Sequence, residues 1–130
     1  MKALSARVPF PYVPQADRAL PKEQQTEFLL RPLSFLERAY VDDESWQFSG
    51  DGTAQLMRGT RRRLALLGGL VGWSNFDGVP FVTEKANVGG VTAERPTEAT
   101  IERIPLDVQQ ELAEAILDAS KLSDGDRKNS

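Results

Sequence analysis

The side chains in this sequence that are best suited to bind another molecule belong to four closely spaced arginines, Arg58 and Arg61-Arg62-Arg63. A guanidinium group forms paired hydrogen bonds with carboxylates and phosphates, so this cluster could bind an acidic protein surface or a phosphate group. Alternatively, the arginines form a solvated helix face whose charge the acidic C-terminal helix balances. The net charge of −3 and the lack of aromatic residues between the arginines argue against nucleic acid as the partner.

Catalytic chemistry has few candidates. The 130 residues include no histidine and no cysteine, which removes the commonest general base, the commonest zinc ligands and every thiolate. The acidic run Asp42-Asp43-Glu44 lacks the residue spacing of a calcium loop. Gly68-Gly69 lacks the lysine and hydroxyl residue that complete a phosphate-binding loop. The sequence therefore predicts a protein that is not an enzyme, with no catalytic residue, no cofactor and no metal ligand.

Large aromatic residues offer a different kind of site, because tryptophan and phenylalanine near turns serve either as core or as interface anchors. Trp73 and Phe76 lie just before the turn dipeptide Asp77-Gly78. We expect them to assist the arginines in holding another protein. The predicted partner-binding residues are Arg58, Arg61, Arg62, Trp73 and Phe76.

These side chains must be positioned by elements that the sequence also predicts. Residues 1–25 contain Pro9, Pro11, Pro14 and Pro21, which exclude helix and favour an extended arm. The apolar residues between these prolines predict that the arm packs against its own domain or a neighbour.

A strand and a short helix are predicted next. Residues 26–33 are predicted to form a strand, with Phe28 and Leu30 on one side and Leu29 and Arg31 on the other. Ser34 and Glu37 have the spacing of a capping box, which begins a short helix. We expect the inner side of that helix to carry Phe35, Leu36, Ala39 and Tyr40.

The main helix is predicted over residues 53–73, with Thr53 as its cap. Its apolar spacing places Met57, Leu64, Leu67 and Val71 towards the core, with Trp73 beside them. The late glycines, Gly68, Gly69 and Gly72, indicate close backbone approach or an early helix end.

The C-terminal half is predicted to contain a mobile polar loop at 83–100, a helix with Pro105 at its first position and a frayed polar tail at 121–130. The predicted fold class is α+β, mostly α, with two or three main helices and a small extended or β element at the N-terminus. Residues 26–120 form its single α-rich domain.

Membrane insertion is not expected. The longest apolar stretch, Leu64 to Val71, is far shorter than the ~20 residues that span a bilayer. Prolines interrupt any apolar signal-peptide core near the N-terminus. We therefore expect a soluble, intracellular protein.

The order of these pieces resembles a known family. An extended Phe28-Leu29-Leu30-Arg31-Pro32-Leu33-Ser34 is followed by an Arg/Leu-rich helix, then by Gly72-Trp73-Ser74-Asn75-Phe76 and Asp77-Gly78-Val79-Pro80-Phe81. A final helix carries Pro105-Leu106-Asp107-Val108-Gln109-Gln110-Glu111-Leu112. Over residues 20–130 this is similar to the tail assembly chaperones of long-tailed phages and prophages.

The resemblance implies a non-virion helper in the cytoplasm of the host bacterium. It would coat the tape measure protein, keep it soluble and recruit tail tube subunits, with self-association as a further possibility. Many such proteins also exist in a longer, frameshifted form, and Lys128-Asn129 is compatible with a slippery codon pair. The polar segment 83–100 departs from the family pattern.

Two other classes of protein stay open. One is a structural virion protein of the head–tail connector or tail region, which would use its arm to hold neighbours. The other is a small regulator that binds a host protein. A chaperone would be missing from purified virions, whereas a connector would be present.

Overall fold

The computed structural model describes the backbone of residues 8–128 and the side chains of residues 8–121. This part of the chain contains four α-helices and seven short strands. The strands are β1 (Phe10–Tyr12), β2 (Glu27–Leu30), β3 (Trp46–Phe48), β4 (Ala54–Leu56), β5 (Leu70–Ser74), β6 (Thr83–Val88) and β7 (Val91–Pro96). The helices are α1 (Phe35–Ser45), α2 (Arg58–Gly69), α3 (Glu98–Glu102) and α4 (Leu106–Lys128).

The Pro-rich arm belongs to the domain's own sheet. β1 pairs antiparallel with β2, and β2 pairs antiparallel with β5, so the order is β1-β2-β5. The hydroxyl of Tyr12 donates to Glu111 on α4 at 2.9 Å, which fixes the arm against the last helix. Residues 1–7 of the predicted arm lie outside the described residues.

The prediction of a mostly α fold is wrong. Two further antiparallel pairs, β3 with β4 and β6 with β7, make three small sheets beside the helices, so the fold is mixed. The segment predicted as a polar loop at 83–100 is instead the β6–β7 hairpin and the start of α3. Its turn is Gly89-Gly90, where both residues have positive φ, as tight hairpins require. Its polar exposed face concealed the strand pattern.

The predicted helix over 53–73 is also wrong at both ends. α2 covers only Arg58–Gly69, since β4 precedes it and β5 follows it. Met57 is its N-cap and makes no side-chain capping bond, whereas Thr53 lies in the β3–β4 turn. Val71 therefore lies on strand β5, where successive side chains point to opposite faces. It is exposed, although it was predicted to face the core.

The core forms where α2 crosses α4. Leu66, Leu112 and Ile116 are fully buried there. A Cβ atom at Gly69 would lie 2.5 Å from Ile116 Cγ2, so a larger residue would separate the two helices. The expectation of close approach at the late glycines holds for Gly68 and Gly69, which also end α2. It is wrong for Gly72, which lies on β5, where an added Cβ atom would have no neighbour within 4 Å.

α1 begins as predicted, but its buried side differs from the predicted one. Ser34 and Glu37 form the capping box, with the Ser34 hydroxyl accepting from the Glu37 amide at 3.1 Å. The buried residues of the helix are Glu37, Val41 and Ser45. The predicted inner side faces solvent, with exposed Phe35, Leu36, Ala39 and Tyr40.

The last helix begins at Leu106, one residue after the proline that was predicted to open it. The backbone is helical to Lys128, which includes most of the predicted tail at 121–130. Asn129, the second residue of the predicted slippery codon pair, and Ser130 lie outside the described residues.

Candidate interaction surface

A buried ion pair determines which side of α1 faces the protein interior. Glu37 and Arg95 are both 0 % exposed, and Arg95 donates to Glu37 Oε2 at 2.7 Å. The same guanidinium donates to the carbonyls of Leu67, Ala86 and Val91 at 3.2, 3.0 and 2.7 Å. Arg95 thereby connects α1, α2 and the β6–β7 hairpin through one side chain.

The environment of Glu37 keeps it ionised. Burial by itself raises the pKa of this carboxyl group, but hydrogen bonds from the Ser34 amide and from Arg95 stabilise the charged form. Their combined effect is larger, so the pKa of Glu37 lies below its ordinary value of 4.5. No buried side-chain polar atom of the described residues lacks a hydrogen-bond partner.

With Glu37 turned inward, an apolar face of α1 is turned outward. We call it the α1 stripe: Phe35, Leu36, Ala39 and Tyr40, which recur at the spacing of one helix face. Phe35 is 80 % exposed and Leu36 53 %. The Gly89 backbone borders the stripe, since a Cβ atom there would lie 2.8 Å from Tyr40 Cβ.

A second apolar face lies on the β3–β4 hairpin. Trp46 is opposite Leu56, and Phe48 is opposite Ala54. Residues directly opposite in an antiparallel pair project to the same side of the sheet, so these four form one surface, the hairpin face. Phe48 is 75 % exposed and Trp46 45 %, so most of the aromatic area meets solvent.

The turn that carries the hairpin face is well ordered by hydrogen bonds. The Asp51 carboxylate accepts from the amide and the hydroxyl of Thr53 at 3.0 and 2.7 Å, and also from the Ser49 hydroxyl. The Ser49 bond is the largest cause, and together these bonds lower the pKa of Asp51 to about 2. The turn is therefore fixed at neutral pH although it is fully exposed.

The predicted arginines divide into paired and unpaired groups. Arg61 donates to Asp42 on α1 at 2.8 Å, and Arg63 donates to Glu98 at 2.6 Å. Arg58 and Arg62 have no ion-pair partner among residues 8–121. These two remain available to an outside carboxylate, whereas Arg61 holds α1 against α2.

Arg58, the first of the two unpaired arginines, follows shortly after the hairpin face in the chain. The Met57 amide donates to the Ser45 carbonyl at 2.6 Å, which continues the β3–β4 pairing up to the first residue of α2. Arg58 thus follows Leu56 of the hairpin face by two residues. The apolar face and the basic end of α2 adjoin.

The predicted aromatic anchors lie elsewhere. Trp73 and Phe76 are half-buried and stack edge to face, with ring centroids 5.0 Å apart. Phe28 and Phe81 complete this cluster, and the Trp73 indole donates to the Val79 carbonyl at 2.8 Å. The cluster lies beyond the C-terminal end of α2, whose 12 residues span about 18 Å. The structure therefore does not bring Trp73 and Phe76 together with Arg58 at the start of that helix.

A shallow groove of about 340 Å³ lies between α2, α3 and α4. Its lining includes Arg62, Arg63, Glu98 and Glu102, of which Arg63 and Glu98 form an ion pair. Gln109 in its wall already donates to two backbone carbonyls of the α3–α4 connection.

The exposed apolar faces were missed from the sequence for an identifiable reason. The alternation Trp46-Gln47-Phe48 before Gly50-Asp51-Gly52 is a hairpin signal of moderate strength. The α1 stripe has the spacing of a core-facing helix side, so periodicity alone predicts that it is buried. Only the buried Glu37–Arg95 pair reverses that orientation.

Comparison with protein-family models, with curated proteins and with solved structures finds no match. Within the described residues no helix is long and apolar enough to cross a bilayer. The same part of the chain holds no group of three or more carboxylate, histidine or cysteine side chains suited to a metal ion. The likeness to tail assembly chaperones depends on the order of sequence motifs alone.

Proposed function

We propose that this protein is a tail assembly chaperone of a long-tailed phage or prophage, which binds the tape measure protein in the host cytoplasm and recruits tail tube subunits without catalysis. The proposal combines the motif order described above with one structural observation. The hairpin face ends at Leu56, two residues before Arg58, and Arg62 follows one turn later on α2. Neither guanidinium has an ion-pair partner among the described side chains. Such a surface fits an amphipathic helix with an acidic flank.

The chemistry of a tape measure protein matches this surface. A long amphipathic helical protein exposes apolar stripes that need cover before the tube encloses it. Trp46 and Phe48 can insert as aromatic anchors, the residue types that dominate binding energy at interfaces. Arginines beside them fix the register of the partner and raise the association rate more than they raise the affinity. Several copies along one partner strengthen weak single contacts through effective concentration.

This proposal revises the predicted contact residues. Arg58 and Arg62 keep their role as contacts for acidic groups. Arg61 acts inside the protein, because its guanidinium is paired with Asp42. Trp73 and Phe76 stabilise the cluster around Phe28, and Trp46 and Phe48 replace them as anchors.

Co-expression with the cognate tape measure protein tests the proposal. We expect the soluble fraction of the partner to rise with this chain, and to fall again with the Trp46→Ser/Phe48→Ser variant. Val82→Ser is the matched control, since Val82 is 49 % exposed and lies outside both apolar faces. Circular dichroism verifies that each variant is folded.

A partner that is equally soluble with and without this chain would refute the chaperone proposal. Mass spectrometry of purified virions then decides the alternative. A chaperone should be missing from the particle, whereas stoichiometric presence would identify a connector or tail component.

A further inference from the structure

The β3–β4 hairpin projects from the domain with both of its faces in solvent. Every residue from Trp46 to Gln55 is exposed, and Leu56 at the base is half-buried. Apart from β4, the element that β3 contacts most is α1, which it directly follows in the chain. A two-stranded hairpin with so little burial is marginally stable in water. Elements of this kind open locally, at a small fraction of the free energy that unfolds the core.

Hydrogen bonds at the turn hold the two strands together. The Ser49 amide donates to the Thr53 carbonyl at 2.9 Å, and the Gly52 amide donates to the Ser49 carbonyl at 3.0 Å. The Asp51 carboxylate accepts from the amide and the hydroxyl of Thr53 and from the hydroxyl of Ser49. Hydrogen bonds to an ionised acceptor are stronger than those between neutral groups. Asp51 therefore connects the residue after β3 to the residue before β4.

We propose that the β3–β4 hairpin opens and closes as a unit independent of the rest of the domain, and that Asp51 sets the fraction that is closed. Only the closed hairpin aligns Trp46 and Phe48 on one side, so Asp51 acts on a partner through the hairpin face. This second step rests on the proposed function. The apparent dissociation constant equals the intrinsic one divided by the closed fraction. Asp51 is thus a positioning residue for the hairpin face.

Amide hydrogen exchange of the free chain, followed by NMR, tests the independent opening. The reference is the Arg31 amide, which donates to the Gly69 carbonyl at 2.8 Å beside the core. The Ser49 amide should exchange much faster than this reference. Asp51→Ala should lower the protection of Ser49 roughly ten-fold and leave Arg31 unchanged. Asp51→Asn keeps an acceptor oxygen in the turn and should restore most of the protection.

One outcome of the exchange experiment would overturn the independent opening. Equal protection of the Ser49 and Arg31 amides, or an equal loss at both in Asp51→Ala, would mean that the hairpin and the core open together. Urea unfolding gives the matching measurement, because the midpoint of Asp51→Ala should stay close to that of the wild type. A large fall in that midpoint would likewise contradict a separate unit.

A disulfide that locks the hairpin tests whether Asp51 acts through strand pairing. Gln47 and Gln55 are directly opposite each other, and their Cα atoms lie within the range that a disulfide bridges. The chain has no cysteine, so Gln47→Cys/Gln55→Cys offers a single intramolecular bond. When oxidised, this bond should restore the protection of Ser49 in Asp51→Ala, and its reduction should remove the effect. Protection that stays low in the oxidised form would refute the role of Asp51 in closing the hairpin.

Binding to the tape measure protein tests the positioning role. The dissociation constant of Asp51→Ala should rise by the factor that the exchange data give for the fall in the closed fraction, and the disulfide should restore it. Charge alone predicts the opposite, because the loss of an acid should strengthen binding to a partner with acidic groups. Asp43→Ala is the control, since it removes an exposed acid of α1 and should not weaken binding. An unchanged or lower dissociation constant for Asp51→Ala, despite lost protection, would overturn the positioning role.

The failure of this inference differs from the failure of the proposed function. The exchange and disulfide experiments use the free chain, so they decide the opening of the hairpin by themselves. A tape measure protein that does not bind the wild-type chain would refute the proposed function, and with it the binding role of Asp51. Binding that depends on Trp46 and Phe48 but not on Asp51 would keep the proposed function and refute this inference.

Discussion

At the scale of single residues, the Glu37–Arg95 pair has the largest consequences. Both side chains are 0 % exposed, so neither charge is screened by water. Every hydrogen-bonding group of the pair that is buried has a partner. The removal of one member would leave an uncompensated charge in the interior, which costs far more than the loss of a surface ion pair.

Arg95→Ala should therefore lower the free energy of unfolding by about 3–5 kcal/mol. Arg63→Ala is the matched control, since its pair with Glu98 is half-exposed on both sides and should cost only about 0–1 kcal/mol. Urea unfolding followed by circular dichroism measures both values. Equal losses in the two variants would mean that the buried pair does not hold α1 and the hairpin together.

The lowered pKa of Glu37 predicts a pH dependence. Its folded-state pKa lies below the unfolded value of about 4.5, so the unfolded state takes up the proton first as the pH falls. The contribution of Glu37 to stability is complete above that value and is lost at lower pH, as the pH falls through the folded-state pKa. Between neutral pH and pH 3, the wild type should lose more free energy of unfolding than Glu37→Gln does. Parallel curves for the two proteins would contradict this assignment.

At the scale of elements, strands rather than helix turns flank α2. β5 continues the chain from Gly69 as part of the first sheet, and its pairing with β2 outweighs the helical spacing of Leu67 and Val71. The side of α2 that faces α4 is consequently centred on Leu66. Leu66 is 0 % exposed, and Leu67 is half-buried.

Leu66→Ala should cost about 2–5 kcal/mol of unfolding free energy, because it leaves a cavity between α2 and α4. Leu67→Ala should cost clearly less, although helical spacing on the longer predicted helix placed Leu67 in the core. Denaturant midpoints of the two variants decide the order. A larger loss of unfolding free energy for Leu67→Ala would mean that Leu67, and not Leu66, faces the core, as the helical spacing predicted.

At the scale of the whole molecule, two apolar faces remain open after the core is formed. The hairpin face is followed by Arg58, and the α1 stripe is followed by Asp43 and Glu44. None of these three residues has an ion-pair partner among the described side chains. The basic border of the hairpin face is the feature that supports the partner with acidic groups proposed above.

The free arginines should act mainly on association kinetics. Arg58→Glu/Arg62→Glu should slow association with the tape measure protein and weaken its dependence on salt, with a smaller change in the dissociation rate. Arg103→Glu is the control, because Arg103 is exposed on the loop after α3. Surface plasmon resonance at two salt concentrations separates these effects. An unchanged association rate would remove the arginines from the contact surface.

The sequence alone determined the local features of this protein. The Ser34–Glu37 capping box, the Asp77-Gly78 turn and the glycines that end α2 follow from short-range stereochemistry, so they were predictable. The prediction that Arg58, Arg61 and Arg62 bind a partner remains a prediction, and Trp73 and Phe76 lie in a different region. Only the tertiary structure decided which side of α1 is buried, because Arg95 lies 58 residues from Glu37 along the chain. The β6–β7 hairpin is a local pairing that was missed because its exposed face is polar. The main helix is shorter than predicted because β5 pairs with the distant β2, and local periodicity does not reveal that neighbour.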